Sequence, residues 1–416
     1  MRTVVSDAYR FFETFETDAG LIPDNVVLDD GDVVDIDTRT SPSNVAMDML
    51  STVAAAELDI IENSTARDRL RTTLSTLEGV EKWNGLFYRW YDAEDGSLAV
   101  HESARHISTV DNGHLTAAFA VVAQAFPDLH DAARSLLEAE DYSGFLADDG
   151  TMLGAYYFDR DGDGPGFSEW AYDQINSEPR VASYVAIGKG DFPESHWWQP
   201  RRTALPDESE YQQRPDGEWR SYDGVEVFEG CYEYAGNRAV PTWGGAMFEA
   251  LMPSLFIKEK ELSPGAWAPN NYNHVQAHRA FAAENDWPVW GLSSCGLPDG
   301  YGTFGVPQLG EWDGRYEGGP WVTPHAVGLA AMYDPEAAAE ALDSLVELGV
   351  DGPYGLYDSV NAETGEVTEK YYSLDQGMLL SGLANALTDG ALREYFHADP
   401  VGSRPEHLLE REQFSL

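Results

Sequence analysis

"SPSNVAMDMLSTVAAAELDIIENSTARDRLRTTLSTLEGV", Ser41 to Val80, is the stretch that decides the fold class. Its apolar residues recur at three- and four-residue spacing, the period of a helix with one apolar side rather than the alternation of a strand. It opens on Ser and Pro, both suited to helix entry, so one or two long helices are expected here. The same period marks residues 114–125, 129–140, 170–188, 245–258, 275–284, 324–331, 335–348 and 374–387. A shorter amphipathic helix is expected over 6–17. Residues 25–42 read as a turn-rich arm with at most a short strand pair.

Gly- and aromatic-rich loops such as "EKWNGLFYRWYDAEDG", "CGLPDGYGTFGVP" and "GVDGPYGLYDSV" separate the helices, with room for short strand pairs near 152–158. Sustained helical periodicity argues against a β-sandwich, and the lack of strand–helix alternation argues against a parallel-sheet enzyme. No low-complexity linker divides the helical part. The expected organisation is one all-α domain over 45–416, with residues 1–44 forming a helix and arm packed against it. In a closed double layer of helices, the long loops would gather at one mouth.

Charge bounds the function. The chain has 416 residues, with 72 Asp plus Glu against 26 Lys plus Arg, a formal net charge of −46. Such an excess repels itself in dilute solution and is screened at molar salt, where the Debye length is about 3 Å. A hypersaline cytoplasm is the expected setting. Nucleic-acid binding would require a concentrated basic patch, and the sequence has none. The first twenty residues lack the apolar run of an export signal, and no apolar stretch is long enough to span a membrane. Cys231 and Cys295 form no clustered metal pattern and read as buried thiols.

Several acidic residues stand where helices begin. In "RHISTVDNGHLTAAFAVV", Asp111 either accepts backbone N–H groups as a cap or faces a cleft. In the cleft reading Asn112 and His114 become hydroxyl ligands. In "YDQINSEPRVASYVAIGKG", Pro179 suits a first helical position and leaves Glu178 at a helix end. There Glu178 either answers the helix dipole or, buried among aromatics, becomes a neutral acid, a shift that nearby Arg180 opposes. Glu249 interrupts the apolar face after Gly244 and Gly245. Asp299, Tyr301 and Gln308 lie on a Gly/Pro-rich loop, Tyr357 on another, and Asp375 and Gln376 at the start of the last strong helix. Trp90, Trp243 and Trp290, with Tyr301, supply flat rings of the kind that meet the apolar faces of sugars. Asp159, Asp161 and Asp163 resemble the opening of a calcium loop, but Glu169 falls one place short, which favours a hydrated acidic turn. His101 and His106 lack zinc spacing. No metal or cofactor is expected.

The blocks "TLEGVEKWNGLFYRWYD", "STVDNG", "YDQINSEPRVASYVAIGKG", "WGGAMFEALMP", "WGLSSCGLPDGYGTFGVPQLG", "GPYGLYDSV" and "SLDQGMLLSGLAN" occur in the order of a glycoamylase-like domain. That family is similar to endo-β-1,2-glucanases and to the C-terminal part of cyclic β-1,2-glucan synthases. The resemblance runs from Thr76 to Asn385. It implies an (α/α)6 toroid with long loops and short β-hairpins at a glycan cleft. It also implies a glycoside hydrolase of inverting type, acting on a glucan or glucose-containing oligosaccharide without a cofactor. It places the acid at Glu178, a water- or substrate-side carboxylate at Asp375, and a cleft residue at Asp111. Relatives carry "SEAR" where this chain has "SEPR", and a serine–glutamate-rich loop where it has "SSCGLPDGYG". Cys295 and Gly296 thus remove a carboxylate from that loop. A non-hydrolytic carbohydrate-binding or glycan-processing protein, or a polysaccharide lyase, is the alternative. The sequence does not specify an oligomeric state.

Overall fold

In the computed structural model, residues 41–80 fold as two helices, Pro42–Glu57 and Asn63–Gly79. The Ser41 hydroxyl caps the first by accepting from the Asn44 N–H. Asp59 turns the chain between them in a left-handed conformation, φ 52°, which Asp tolerates better than most residues. Pro42 through Ala56 are buried without interruption, whereas Asn63–Gly79 buries only Ala66, Leu70, Thr73, Leu74 and Leu77. A helix covered on all sides lies inside, and one with a single buried stripe lies outside. The structure describes residues 1–100, 105–159, 162, 164–206, 212–311 and 314–416.

The same contrast sorts the other helices. Among the described residues, five more are buried almost all round: Thr109–Ala125, Arg180–Lys189, Met247–Leu251, Pro324–Ala330 and Ser373–Leu387. Their partners His130–Ala139, Trp267–Glu284 and Pro335–Glu347 keep a solvated side. Pro42–Glu57 packs on Thr109–Ala125 and on Ser373–Leu387; Thr109–Ala125 packs on Arg180–Lys189, and Pro324–Ala330 on both Met247–Leu251 and Ser373–Leu387. Arg180 closes the circuit by donating to the Ala250 carbonyl, 3.1 Å. The architecture is an α/α toroid, with short hairpins and no closed sheet among the described residues. Ala391–Ala398 packs on Thr109–Ala125, Ser373–Leu387 and Pro42–Glu57, beyond the C-terminal ends of the inner helices.

The arm is more ordered than its sequence indicates. Asn25–Asp29 pairs with Asp32–Asp37 on one side and with Lys370–Tyr372 on the other, Val26 opposite Tyr371. It therefore braces the strand that leads directly into Ser373–Leu387. The Arg2–Phe15 helix packs against that same inner helix.

Three helix boundaries differ most from expectation. Residues 170–188 are not one helix: Ala171–Tyr172 pairs with Met152–Leu153, and the helix starts at Arg180. Pro179 disfavours helical backbone at the residue before it. Residues 245–258 give only Met247–Leu251 and the tight turn Met252–Leu255, because Pro253 removes an N–H. The helix expected from 275 begins at Trp267, where buried Asn270, Asn271 and His274 hide the apolar period. Among the described residues, no helix is long and apolar enough to cross a membrane.

Candidate active site at the mouth of the helical ring

Candidate residues stand at or next to the N-terminal ends of all six inner helices: Ser43, Asp111, Glu178, Glu249, His325 and Asp375. Ring closure brings these ends to one mouth, and a hollow of about 260 Å³ opens beside Ser43, Asp111 and Glu178. Ser43, Asp111, His114, Glu178, Phe248 and Leu374 form its floor and near walls, one or two residues from each of five inner helices. Loop residues Arg89, Tyr157, Trp170 and Tyr172 complete it. Trp170 is 48% exposed and meets Tyr172 edge-on at 5.2 Å. A side chain on Gly154 would put its Cβ 1.8 Å from the Trp170 ring, so the glycine lets that ring lie against backbone.

Glu178 sits on the turn before Arg180–Lys189 and lines the hollow. Burial pushes its carboxyl up to about 7, helped by the charges of Glu249 and Asp111 and opposed by the Ser177 hydroxyl, which donates to it at 2.5 Å. Arg180 does not reach the hollow. It is buried, pairs with Glu259 at 2.7 Å, stacks on Trp267 at 4.0 Å, and donates to the Ile175 carbonyl and to Asn176 Oδ1. It thereby pins the turn that aims Glu178, and its charge is spent on Glu259.

Asp111 occupies the first turn of its helix, while the capping hydroxyl belongs to Ser108. The Ser43 hydroxyl is 2.8 Å from Asp111 Oδ1 and 2.9 Å from His114 Nδ1. Burial holds His114 down to about 4, so the ring is neutral near pH 7. Asn112 faces away: its amide clamps the Phe87 backbone and the Ser108 carbonyl at 2.7–2.9 Å.

Glu249 folds back on its own helix entry and accepts from the Gly244 and Ala246 N–H groups. Burial raises its carboxyl and these bonds oppose the rise. Tyr316, which sequence reasoning misses, bonds Glu249 and senses Glu178, and is raised by burial and both charges. Trp243 lies under the Arg315 guanidinium, 4.9 Å from the ring.

Asp375 is 4% exposed, in the first turn of the last inner helix, one residue after Leu374 of the hollow wall. Beside it is Asp358, also missed from sequence because it lies on an irregular loop without periodicity. Burial and the Asp358 charge push Asp375 well up, and burial pushes Asp358 to about 6. The two acids act as a pair that holds one proton. The Gly296 N–H donates to Asp358 Oδ2 at 2.6 Å. A Cβ at Gly296 would sit 2.7 Å from the Tyr372 ring and 3.2 Å from that oxygen. An acidic side chain at this position would thus meet Asp358 head-on, and the loop supplies a backbone donor instead.

The remaining candidates scatter. Tyr301 is 53% exposed beside Tyr372, and Asp299 is exposed at the tip of its hairpin. Tyr357 is buried against Tyr371, and Gln376 donates to the Leu356 carbonyl from inside the helix layer. Gln308 lies on the Pro307–Leu309 turn, its carbonyl bonded to Gln213. Trp90 carries Arg39 and Arg89 over its ring at 4.8 and 5.4 Å. Trp290 lines a separate groove of about 770 Å³ with Tyr272, Arg279 and Trp287. That groove holds none of the acids that line the hollow. Cys231 and Cys295 are buried and unpaired. Asp159 accepts from the Gly162 N–H in a turn; Asp161, Asp163 and His101 lie outside the described residues.

A family model described as "Putative glucoamylase" matches residues 194–400, and one described as a protein of unknown function (DUF3131) matches residues 4–186. A cyclic beta-(1,2)-glucan synthase, NdvB of Rhizobium meliloti (strain 1021), is 32% identical over 257 residues, 58% of this chain. The match takes in only 8% of the synthase's length. The endo-beta-1,2-glucanase of Chitinophaga pinensis, solved with sophorotriose and glucose, superposes with a TM-score of 0.78 at 16% identity, over 98% of this chain and 96% of that one. The endo-beta-1,2-glucanase of Talaromyces funiculosus, solved with sophorose, gives 0.76 at 12% identity, over 100% and 91%. These likenesses establish the fold along the whole chain.

Proposed function

We propose that this chain, whose residues 194–400 match the putative glucoamylase model, is a glycoside hydrolase acting on a glucan or glucose-containing oligosaccharide, with β-1,2-linked glucose the first substrate to try. One observation carries the reading: a carboxyl raised to about 7 lines an aromatic-walled hollow at the helix mouth. Glycosidic-bond cleavage needs an acid that still holds its proton near neutrality and a second carboxylate on the water side. Glu178 donates its proton to the glycosidic oxygen as the bond from that oxygen to the anomeric carbon breaks. The singly charged Asp358–Asp375 pair takes a proton from the attacking water, directly or through a sugar hydroxyl. Asp111, held by Ser43 and next to neutral His114, accepts from a substrate hydroxyl. Trp170 and Tyr172 offer ring faces to the sugar.

The acidic surface fits work in concentrated salt, so the assay is run there. A panel of β-1,2-, β-1,3-, α-1,4- and mixed-linkage glucose oligomers in molar NaCl is read by mass spectrometry. Products that each gain one water, with new reducing ends, are expected. Unsaturated sugars absorbing in the ultraviolet would replace this reading with a lyase. Intact oligomers retained on the protein would replace it with a binding protein.

A further inference from the structure

Asp358, Asp375 and His325 reach one point from three elements. Asp358 comes from the loop before Ser359–Asn361, Asp375 from the last inner helix, and His325 from the first turn of Pro324–Ala330. One oxygen of each carboxylate and one ring nitrogen of His325 all lie within 4.8 Å of one another. His325 Nδ1 is 3.7 Å from Asp375 Oδ2. The three residues are 1, 4 and 2% exposed. Asp358 and Asp375 hydrogen-bond each other through their one shared proton, and His325 Nδ1, without a hydrogen-bond partner of its own, faces that pair.

Their other atoms are engaged: Asp358 Oδ2 with the Gly296 N–H, and His325 Nε2 with the Thr323 hydroxyl at 3.4 Å. If Nε2 carries the ring proton toward Thr323, Nδ1 presents a bare lone pair to the acids. Three electron-pair donors then share one proton in a buried space, and a divalent cation can displace that proton and bond all three. The Lys370 charge steadies Asp358 from a distance, but its ammonium is bonded to the Leu297 carbonyl and does not enter the cluster.

We propose that this cluster is a binding site for a divalent transition-metal ion, with zinc the best fit. One imidazole and two carboxylates are zinc's own donor types, and three protein ligands leave a position for water. Calcium and magnesium favour oxygen alone. Zinc–ligand bonds of about 2.1 Å place tetrahedral donors roughly 3.4 Å apart; the His325–Asp375 spacing of 3.7 Å is close to that, and all three donors lie within 4.8 Å of one another. An ion here occupies the carboxylates that the proposed hydrolysis uses on the water side, so the metal is an inhibitor. That consequence rests on the hydrolase reading; the binding itself does not.

The test titrates the full chain with Co²⁺ and then Zn²⁺, in molar NaCl with excess Mg²⁺ to occupy the acidic surface. One equivalent of Co²⁺ is expected, with the visible bands of a low-coordinate ion, displaced by one equivalent of Zn²⁺. His325→Ala and Asp358→Asn, checked for folding by circular dichroism, should each weaken binding by at least about tenfold, since even a ligand's outer partner is worth that much. Zinc-edge anomalous diffraction from soaked wild-type crystals locates the ion without a variant, and a peak among the three side chains is expected. No stoichiometric binding, unchanged affinity in both variants, or a peak elsewhere overturns the proposal. If binding holds and the metal-free chain cleaves no glycan, the hydrolase reading falls and the metal site stands.

Discussion

Replacing Glu178 by Gln should remove activity and stabilise the protein above neutral pH at the same time. The kinetic half follows from the acid's role: losing a general acid slows the reaction by about 10²–10⁴-fold, or roughly 3–5 kcal/mol of barrier. The wild-type rate should also fall about tenfold per pH unit above 7, as the proton leaves Glu178, whereas the residual rate of the variant should lack this limb.

The stability half follows from linkage. Glu178 titrates near 4.5 when unfolded and about 7 when folded, so the folded chain holds this proton more tightly. The stability it lends is fully present below pH 4.5, and is lost as pH rises through 7. That shift corresponds to about 3 kcal/mol; water entering the hollow screens it to about 2. Gln carries no such charge, so the variant escapes the loss. An unfolding entropy of about 2.1 cal/mol/K per residue over 416 residues makes 2 kcal/mol worth about 2 °C in Tm. Thermal melts of both proteins in molar salt should coincide near pH 4.5 and separate by about that much at pH 8, the variant higher. A pH-independent Tm difference, or a variant turning over at the wild-type rate, would refute the reasoning.

Asp375→Asn should lower kcat by about 10²–10⁴-fold with a smaller change in KM; initial rates within a few-fold of wild type would remove Asp375 from the chemistry. Arg180→Ala leaves the Glu259 carboxylate buried without its partner and should destabilise by about 3–5 kcal/mol; denaturant unfolding showing less than about 1 would contradict the pinning role. With a net charge of −46, the Tm should climb as NaCl goes from 0.1 M to 1 M and the Debye length falls from about 10 Å to 3 Å. A flat Tm would mean that the acidic excess is already neutralised locally.

The parts of this molecule that can be read in its sequence are those built from local periodicity. Ser41 to Val80, the first helix of the mouth and the final Ser373–Leu387 helix follow from apolar spacing and from Ser or Pro at helix entry. Where polar residues are buried, the signal inverts: Asn270, Asn271 and His274 make an inward-facing surface look solvated. Asn112 and Gln376 read as ligands because an amide beside a carboxylate gives no local sign of which backbone it will clamp. Asp358 and Tyr316 are invisible because their importance comes entirely from loops meeting across the ring. Glu178, Asp111 and Asp375 are legible as helix-start acids, but the burial that separates a cap from an acid exists only after closure.

Helix starts are a physically sensible place for these groups. Unpaired N–H groups and the positive end of each helix dipole favour the ionised carboxylate within the first turn. Inside a closed ring the opposite effect dominates: burial leads the shifts of Glu178, Glu249 and Asp375, and for Glu178 and Asp375 neighbouring acids add to it. Backbone donors oppose the rise of Glu249, and the Gly296 N–H opposes that of Asp358. Glu178 receives the neighbouring serine hydroxyl and its own backbone N–H. Burial outweighs them and lets Glu178 hold its proton up to about pH 7, which is what a proton donor requires. Adding a further donor there should weaken the acid without touching the fold.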